Sequence, residues 1–469
     1  MAVGKEGHEE IAMEQTTAEA HRSATRARRK MAWGAVGFAL LALPAAGARA
    51  LSLAEGLAIV DRSGREVAIA LAEEQVAASA PVQAATAWRP SVDLTASQTF
   101  LADQPAAIFG PNQVPTADKD FHAYALQVRQ QVYDFGRTAA TVRAAASAAE
   151  GTRFDTALAR NRGALEFILA YVRLLRAQRL LAVQQEEVSR FEVHRGDAQA
   201  MLAAGTVTEI DVLAAEVRLA DAVQKRLQAE NQQALAAARV NTLLLRPLGQ
   251  AVEPEEIAVA PGEAAPGLEE ALAAAAGARI ELRQLGTRVA AVEAGRTAVR
   301  SEYYPLVFLS GGYDFTQNEY QVHEGNWAVG AGVQMNLYAG GLTREKLRQK
   351  ELELRVLERA REQLLDRVRL EVQDAWLSLG TARSRVAVTG KAVEQAKENL
   401  RLQRLRYGEG VGTSTDVLDA VGLVTTAELN QLDARYDVTG AQALLDFATG
   451  RDLVATWGAP RAPGEGGRP

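Results

Sequence analysis

Cysteine is absent from all 469 residues. That absence excludes disulfides, thiolate metal ligands, a cysteine nucleophile and a lipid carried on an N-terminal cysteine. Aromatic residues are scarce, at 6%, although hydrophobic residues reach 48%. Much of that content is alanine, which suits long helices packed through small side chains better than a bulky globular core. No one sign of charge prevails: the formal net charge is −6, which argues against nucleic acid as a partner. Beyond residue 50 no stretch approaches ~18 apolar residues, so no transmembrane helix is expected there.

The N-terminus carries a different signal. "RARRK" (26–30) precedes the apolar run "MAWGAVGFALLALPAAG", and Ala48-Arg49-Ala50 then offers a small-x-small cleavage site. Charge, apolar core and cleavage site in that order describe a secretory signal peptide ending near Ala50. Pro44 interrupts the run, which also falls short of the ~20 residues of a membrane helix. The leader 1–50 is long, and Met31 offers a second candidate start.

What remains is internally repeated. "VTEIDVLAA" (207–215) nearly recurs as "GTSTDVLDA" (412–420), so that Asp211 and Asp416 stand 205 residues apart. The same step of 205 carries Gly136 of "VYDFGRT" onto Gly341 of "LYAGGLT". Earlier landmarks keep a step of 215: "LAEGLAIVD" from Leu53 matches "LEEALAAAA" from Leu268, and Pro90 matches Pro305. The first half therefore holds ten extra residues between Pro90 and Gly136, where a loop tolerates insertion. Internal repeats of this kind govern the architecture.

Between each Pro and its Gly the chain alternates with period two. Val92, Leu94, Ala96 and Phe100 oppose Asp93, Thr95, Ser97 and Thr99; Tyr124, Leu126, Val128 and Val132 oppose Ala125, Gln127, Arg129 and Gln131. In the second half Val307, Leu309, Tyr313 and Phe315 oppose Ser310, Gly312 and Asp314. Trp327, Val329, Val333, Met335 and Leu337 oppose Gly330, Gly332, Gln334 and Asn336. The pattern predicts four strands, at about 91–101, 121–134, 306–316 and 326–338, with all other regular structure helical. One apolar and one polar face, with aromatics at both ends (Trp88, Tyr133, Tyr303, Tyr304 and Tyr338; Phe100, Phe121, Phe315 and Trp327), is the signature of an outer-membrane β-barrel. Gln127, Arg129, Gln131, Gln334 and Asn336 are then the pore-lining candidates. Four strands cannot close a cylinder, since the smallest membrane barrels have about eight. Several chains must share the barrel.

After each Gly comes a long helical tract, Thr138 to about Ala204 and Thr343 to about Glu409. Leu165, Ile168, Val172 and Leu175, then Leu365, Val368, Val372, Ala375 and Leu379, recur at coiled-coil spacing. Close to seventy residues make a rod of ~100 Å. Each rod leads through a turn into a shorter returning helix (Thr208 to Leu245, Thr415 to Thr449), and the opening helix of the same half supplies the remaining length alongside. The four-proline stretch 246–267 reads as a linker away from the helices. The expected organisation is a leader (1–50), a first repeat (51–245), the linker (246–267), a second repeat (268–455) and a flexible tail (456–469).

This plan of strand hairpin, long helix, turn and short helix, given twice, resembles the TolC-type outer-membrane efflux proteins. The resemblance covers about residues 51–455, and its sharpest match is "YGEGVGTSTDVLDA" (407–420), similar to the family's second periplasmic hairpin tip. It implies a mixed, mainly α fold: a homotrimer whose twelve-stranded barrel continues into a helical periplasmic coiled-coil barrel. It also implies outer-membrane lipid around the barrel, a periplasmic adaptor (membrane fusion protein) and an inner-membrane pump as partners, and no enzymatic activity or cofactor.

At the tips the resemblance implies gate residues: Asp416, Asp419 and Tyr407 in the second hairpin, Asp211 and Thr208 in the first. Three copies of Asp416 and Asp419 would ring a narrow mouth and favour cations. The residues alone allow a plainer role, since hydroxyls and acids in a first helical turn cap it and complement its dipole. Tyr407 can equally be a packed aromatic. Gly412 stands where the family's closed-mouth tether has an Arg, so closure would rest on Tyr407, Asp211, Thr208 or packing. His122, His194 and His323 show no ligand spacing, and no metal site is expected. The expected function is a passive exit duct for small molecules or secreted protein. An exported coiled-coil scaffold or adhesin without a pore is the alternative, though a scaffold has no use for the four alternating strands.

Overall fold

The computed structural model describes residues 50–257 and 266–458. The proposed signal segment up to Arg49, the middle of the linker and the tail from 459 lie outside the described residues. The first half runs α1 (Leu53–Ser63), α2 (Arg65–Ala85), β1 (Ser91–Phe100), β2 (Ala106–Phe109), β3 (Asn112–Pro115), β4 (Asp120–Tyr133), α3 (Arg137–Ala203) and α4 (Glu209–Leu243). The second runs α5 (Leu268–Ala278), α6 (Ile280–Arg300), β5 (Leu306–Thr316), β6 (Gly325–Gln334), α7 (Leu342–Gly408), α8 (Ser414–Ala448) and α9 (Leu453–Gly458).

Both long helices have 67 residues and both returning helices 35. Each long helix starts after a glycine at positive φ, Gly136 at 85° and Gly341 at 84°, a conformation other residues rarely adopt. In the first half Asp134 accepts hydrogen bonds from the Gly136 and Thr138 N–H groups, at 3.1 and 2.7 Å, and fixes that turn. Along α3 pack α1, α2 and α4, as expected from the helix lengths. Helices α6 and α8 of the second half pack on it too. The opening helix, expected as one piece, is two. It breaks at Gly64, whose N–H still reaches Val60 O at 2.9 Å, and at Arg279, which reaches Ala275 O at 3.1 Å.

The main sheet is antiparallel in the order β1-β4-β5-β6. Its register aligns Leu94 with Leu126, Leu126 with Tyr313, and Tyr313 with Trp327. The predicted apolar sets therefore share one face, and Asp93, Gln127, Gly312 and Ala328 share the other. Three findings correct the expected pattern. A further two-stranded hairpin, β2–β3, lies between β1 and β4. Strand β6 ends at Gln334 instead of 338, because Asn336 accepts the Tyr338 N–H at 3.1 Å and turns the chain. The described part of the linker is not held away from the helices. Pro254 bridges Leu51, and the Tyr171 hydroxyl lies 2.7 Å from both the Leu51 and the Glu255 carbonyl oxygens, sharing its one hydrogen between them.

The last described helix is also part of the body. Helix α9 continues past the expected limit at 455, and its Leu453 and Trp457 are buried. The heptad positions Ile168, Val172, Leu175, Val368, Val372 and Leu379 are buried as the spacing predicted.

Candidate functional site

Two places carry the predicted functional residues: the polar face of the sheet and the tips of the two helix hairpins. On the sheet, Gln127, Arg129 and Gln131 alternate along β4 on the side away from Leu126 and Val128. The Arg129 guanidinium stacks 4.2 Å from the Phe308 ring centroid and donates to Gln334 Oε1 at 3.3 Å. Phe308 in turn lies over Gly332, where a Cβ would come within 2.5 Å of the ring. Four of the five predicted lining residues thus share one face. Asn336 does not, since it sits in the turn after β6. Gln131 is tied down at its end of the strand, donating to Asp134 at 2.7 Å and Thr138 at 3.0 Å. The opposite face is open: Leu94, Trp327, Val329 and Val333 are all exposed, Val329 at 91%. No helix among the described residues is long and apolar enough to cross a membrane.

The hairpin tips share one construction, again 205 residues apart. Gly205 and Gly410, at φ 74° and 72°, end the long helices, and three residues later Thr208 and Thr413 cap the returning ones. Each Thr forms a capping box with the acid three residues on. Thr413 N–H donates to Asp416 at 3.1 Å and Asp416 N–H donates back to the Thr413 hydroxyl at 3.2 Å; Thr208 N–H donates to Asp211 at 3.0 Å. The near-repeat of "DVL" is therefore a repeat of helix starts. Side-chain and backbone hydrogen bonds from Thr413 hold the Asp416 carboxyl below its ordinary value. Asp416 is itself half of the cap, and Ser414 is buried and turned to His194. Asp419 is exposed and pairs with Arg218 of α4 at 3.2 Å.

Tyr407 is 5% exposed and packs inside its own chain, its ring centroid 5.2 Å from that of His194. Burial pushes its phenol pKa up. Ser414 lies close by, but its hydroxyl serves His194, and the Tyr407 hydroxyl completes no hydrogen bond. The turn is tight at Gly412, where a Cβ would stand 3.1 Å from Tyr407 N. A side chain there would need the turn to give by a few tenths of an ångström. Sequence reasoning set His194 aside because it shows no ligand spacing. It is packed, but it joins the hairpins: its partner Ser414 is 220 residues away and no local pattern links them. Arg190 makes a second tie, with two bonds to Glu428 at 3.0 and 3.2 Å. Among the described residues no group of acids and histidines could hold a metal ion.

With this geometry in place, comparison with known proteins is informative. Residues 271–451 match the family model described as outer membrane efflux protein. The outer membrane efflux protein BepC of Brucella suis biovar 1 (strain 1330) is 32% identical over 131 residues, 27% of this chain and 28% of that protein. The match thus spans under a third of that relative's length. The solved outer-membrane channel OprN superposes with a TM-score of 0.73 at 20% identity, over 86% of this chain and 90% of that one. The outer membrane protein VceC from Vibrio cholerae does so with a TM-score of 0.71 at 18% identity, over 86% and 96%. At such identities the structures share the fold. The family match covers residues 271–451, and the fold is that of solved outer-membrane channels.

Proposed function

We propose that the chain is one of three subunits of a passive exit duct, through which an inner-membrane pump, joined by a periplasmic adaptor, expels small molecules or secreted protein. One observation carries this reading. The sheet has an exposed apolar face, a polar face, and two edges, β1 and β6, with no partner strand among the described residues. An exposed edge of this length is a template for another chain, and closure removes it. Three copies give twelve strands, with Gln127, Arg129, Gln131 and Gln334 toward the lumen and Leu94, Trp327 and Val329 toward lipid. In the same reading 51–245 and 268–458 are two tandem repeats, the tips form the periplasmic mouth, and Asp416 and Asp419 line it. Loops 102–119 and 317–324 then face outward. A pore-free scaffold gains nothing from a one-sided apolar sheet.

The native chain has no cysteine, which makes disulfide trapping clean. Single cysteines at Asp93 or Thr95 on β1 and at Ala328 or Gly330 on β6, combined in pairs, are oxidised in outer-membrane fractions. The expected product is a covalent ladder ending at three chains, from a protein that conducts in planar bilayers. A ladder ending at two, or none for any pair, rejects the shared twelve-stranded barrel.

A further inference from the structure

The two hairpins meet at one buried imidazole. His194 on α3 is 2% exposed, and its Nε2 lies 2.9 Å from Oγ of Ser414, the first residue of α8. Its ring packs on Tyr407, near the end of α7. A single side chain of the first hairpin therefore touches both helices of the second, close to where both turn. The charges that face it are Asp197 on its own helix, Asp211 in the first turn of α4 and Arg404 on α7. Helix α8 contributes the Ser414 hydroxyl and α7 the Tyr407 ring, neither of which offsets a positive charge. Burial holds the imidazole below its ordinary pKa, since the charged ring loses its hydration there.

We propose that His194 is a proton-released latch: neutral, it holds the tip of the second hairpin on the first, and protonated, it lets the two tips part. The sign follows from the direction of the shift. A base whose pKa is depressed in the closed contact stabilises that contact above its ordinary value of about 6.5 and weakens it as pH falls below. Each further unit of acid multiplies the parted population by up to about ten, until the closed-state pKa is reached. Glu187, two helical turns back on α3, works the other way. Burial raises its carboxyl, so acid neutralises it in place and favours closure. The latch must therefore act against its neighbour, which makes the two separable.

The test uses the full-length protein in detergent. Val417→Cys places a thiol on the buried face of α8 (1% exposed), and Val411→Cys places one on the exposed turn (70%). The ratio of their maleimide labelling rates cancels the pH dependence of thiolate formation. From pH 7.5 to 5.5 the ratio is expected to rise about tenfold with His194 present. It should stay within about twofold in His194→Phe and in His194→Gln, which keeps a partner for Ser414 should Phe impair assembly. Glu187→Gln should leave the rise intact. A flat ratio with His194 present, or an undiminished rise in both His194 variants, overturns the latch. The inference rests on the channel reading only for its physiological meaning. A pH-dependent labelling ratio in a protein that never conducts would sink that reading and leave the latch standing.

Discussion

Helix α3 is one continuous rod with two different buried seams. Toward the sheet its seam is Phe167, Ile168, Tyr171, Leu174 and Leu175, and the polar side chains that α3 places there are satisfied, although Oδ1 of the buried Asn241 on α4 is not. Asn161 donates to Arg451 O and accepts from Leu453 N–H, both at 2.9 Å, and the Tyr171 hydroxyl meets two carbonyls. Toward the tip the seam turns polar, with Gln184, Glu187 and His194 all buried. Gln184 Oε1 and Glu187 Oε2 have no hydrogen-bond partner, nor do Thr425 Oγ1 and the Tyr407 hydroxyl on the facing helices. A buried polar atom left unpaired costs about 1–3 kcal/mol. The sheet-side half is thus the lock, the better satisfied of the two, and on the latch proposal the tip-side half is the one that opens. Under the channel reading that is the division a duct needs: a fixed wall and a movable mouth.

The largest expected effect tests the lock. The Phe167 ring fills the space over Gly56, where a Cβ would fall within 2.0 Å of it. Phe167→Ala is expected to cost about 3–5 kcal/mol, read as faster hydrogen exchange through residues 161–175 and a lower melting temperature. Phe191→Ala, in the tip-side seam, should cost less, because the polar neighbours already admit alternatives. Equal losses at the two positions would erase the comparison. In the unaltered protein, peptides from 184–198 should exchange faster than those from 161–175, since local openings draw on the least stable contacts.

The next effect concerns the tip itself. Asp416→Ala removes half of the capping box, and fraying of the first turn of α8 is expected in hydrogen exchange. Asp419→Ala breaks only an exposed pair with Arg218, and should change stability by under about 1 kcal/mol. If the two acids line a mouth, both variants lower cation selectivity in bilayers. If Asp416 only caps, selectivity holds while α8 frays.

The sequence carried the frame of this molecule further than its details. Steps of 205 and 215 place every helix pair in register, and alternation located β1, β4 and β5 to within about a residue, because period two is a backbone property. The hairpin β2–β3 escaped because Ile108, Phe109 and Val114 sit in strands of four residues around Gly110 and Pro111, too short to show a period. The linker misled because its prolines report only that it is not helical. Its docking depends on Tyr171 and Tyr436, the latter donating to Glu256 at 2.8 Å from 180 residues away. The same limit applies at the tips. Thr413 and Asp416 are three apart and legible, while His194 and Ser414 are joined only by the packing of two hairpins.

The smallest effect is the sharpest test, because the same chemical change is made in both seams. Tyr171→Phe removes a hydroxyl shared between Leu51 O and Glu255 O; Leu51 O keeps the Glu255 N–H at 3.0 Å, while Glu255 O loses this donor inside the body. Its expected cost is about 1–2 kcal/mol. Tyr407→Phe removes a hydroxyl that is buried and unpaired. Nothing loses a partner, and a desolvated group disappears. The expected change is therefore near zero, or a gain of a few tenths of a kcal/mol, with the tilted ring still packed against His194. Combining Tyr407→Phe with Asp211→Ala adds only the loss of the first tip's cap. Conductance of the Tyr407→Phe protein should match the unaltered one if the ring, and not its hydroxyl, holds the mouth. A marked rise in conductance would mean that the Tyr407 hydroxyl finds a partner on the neighbouring subunit. The tip-side seam would then be closed between chains rather than left open within one.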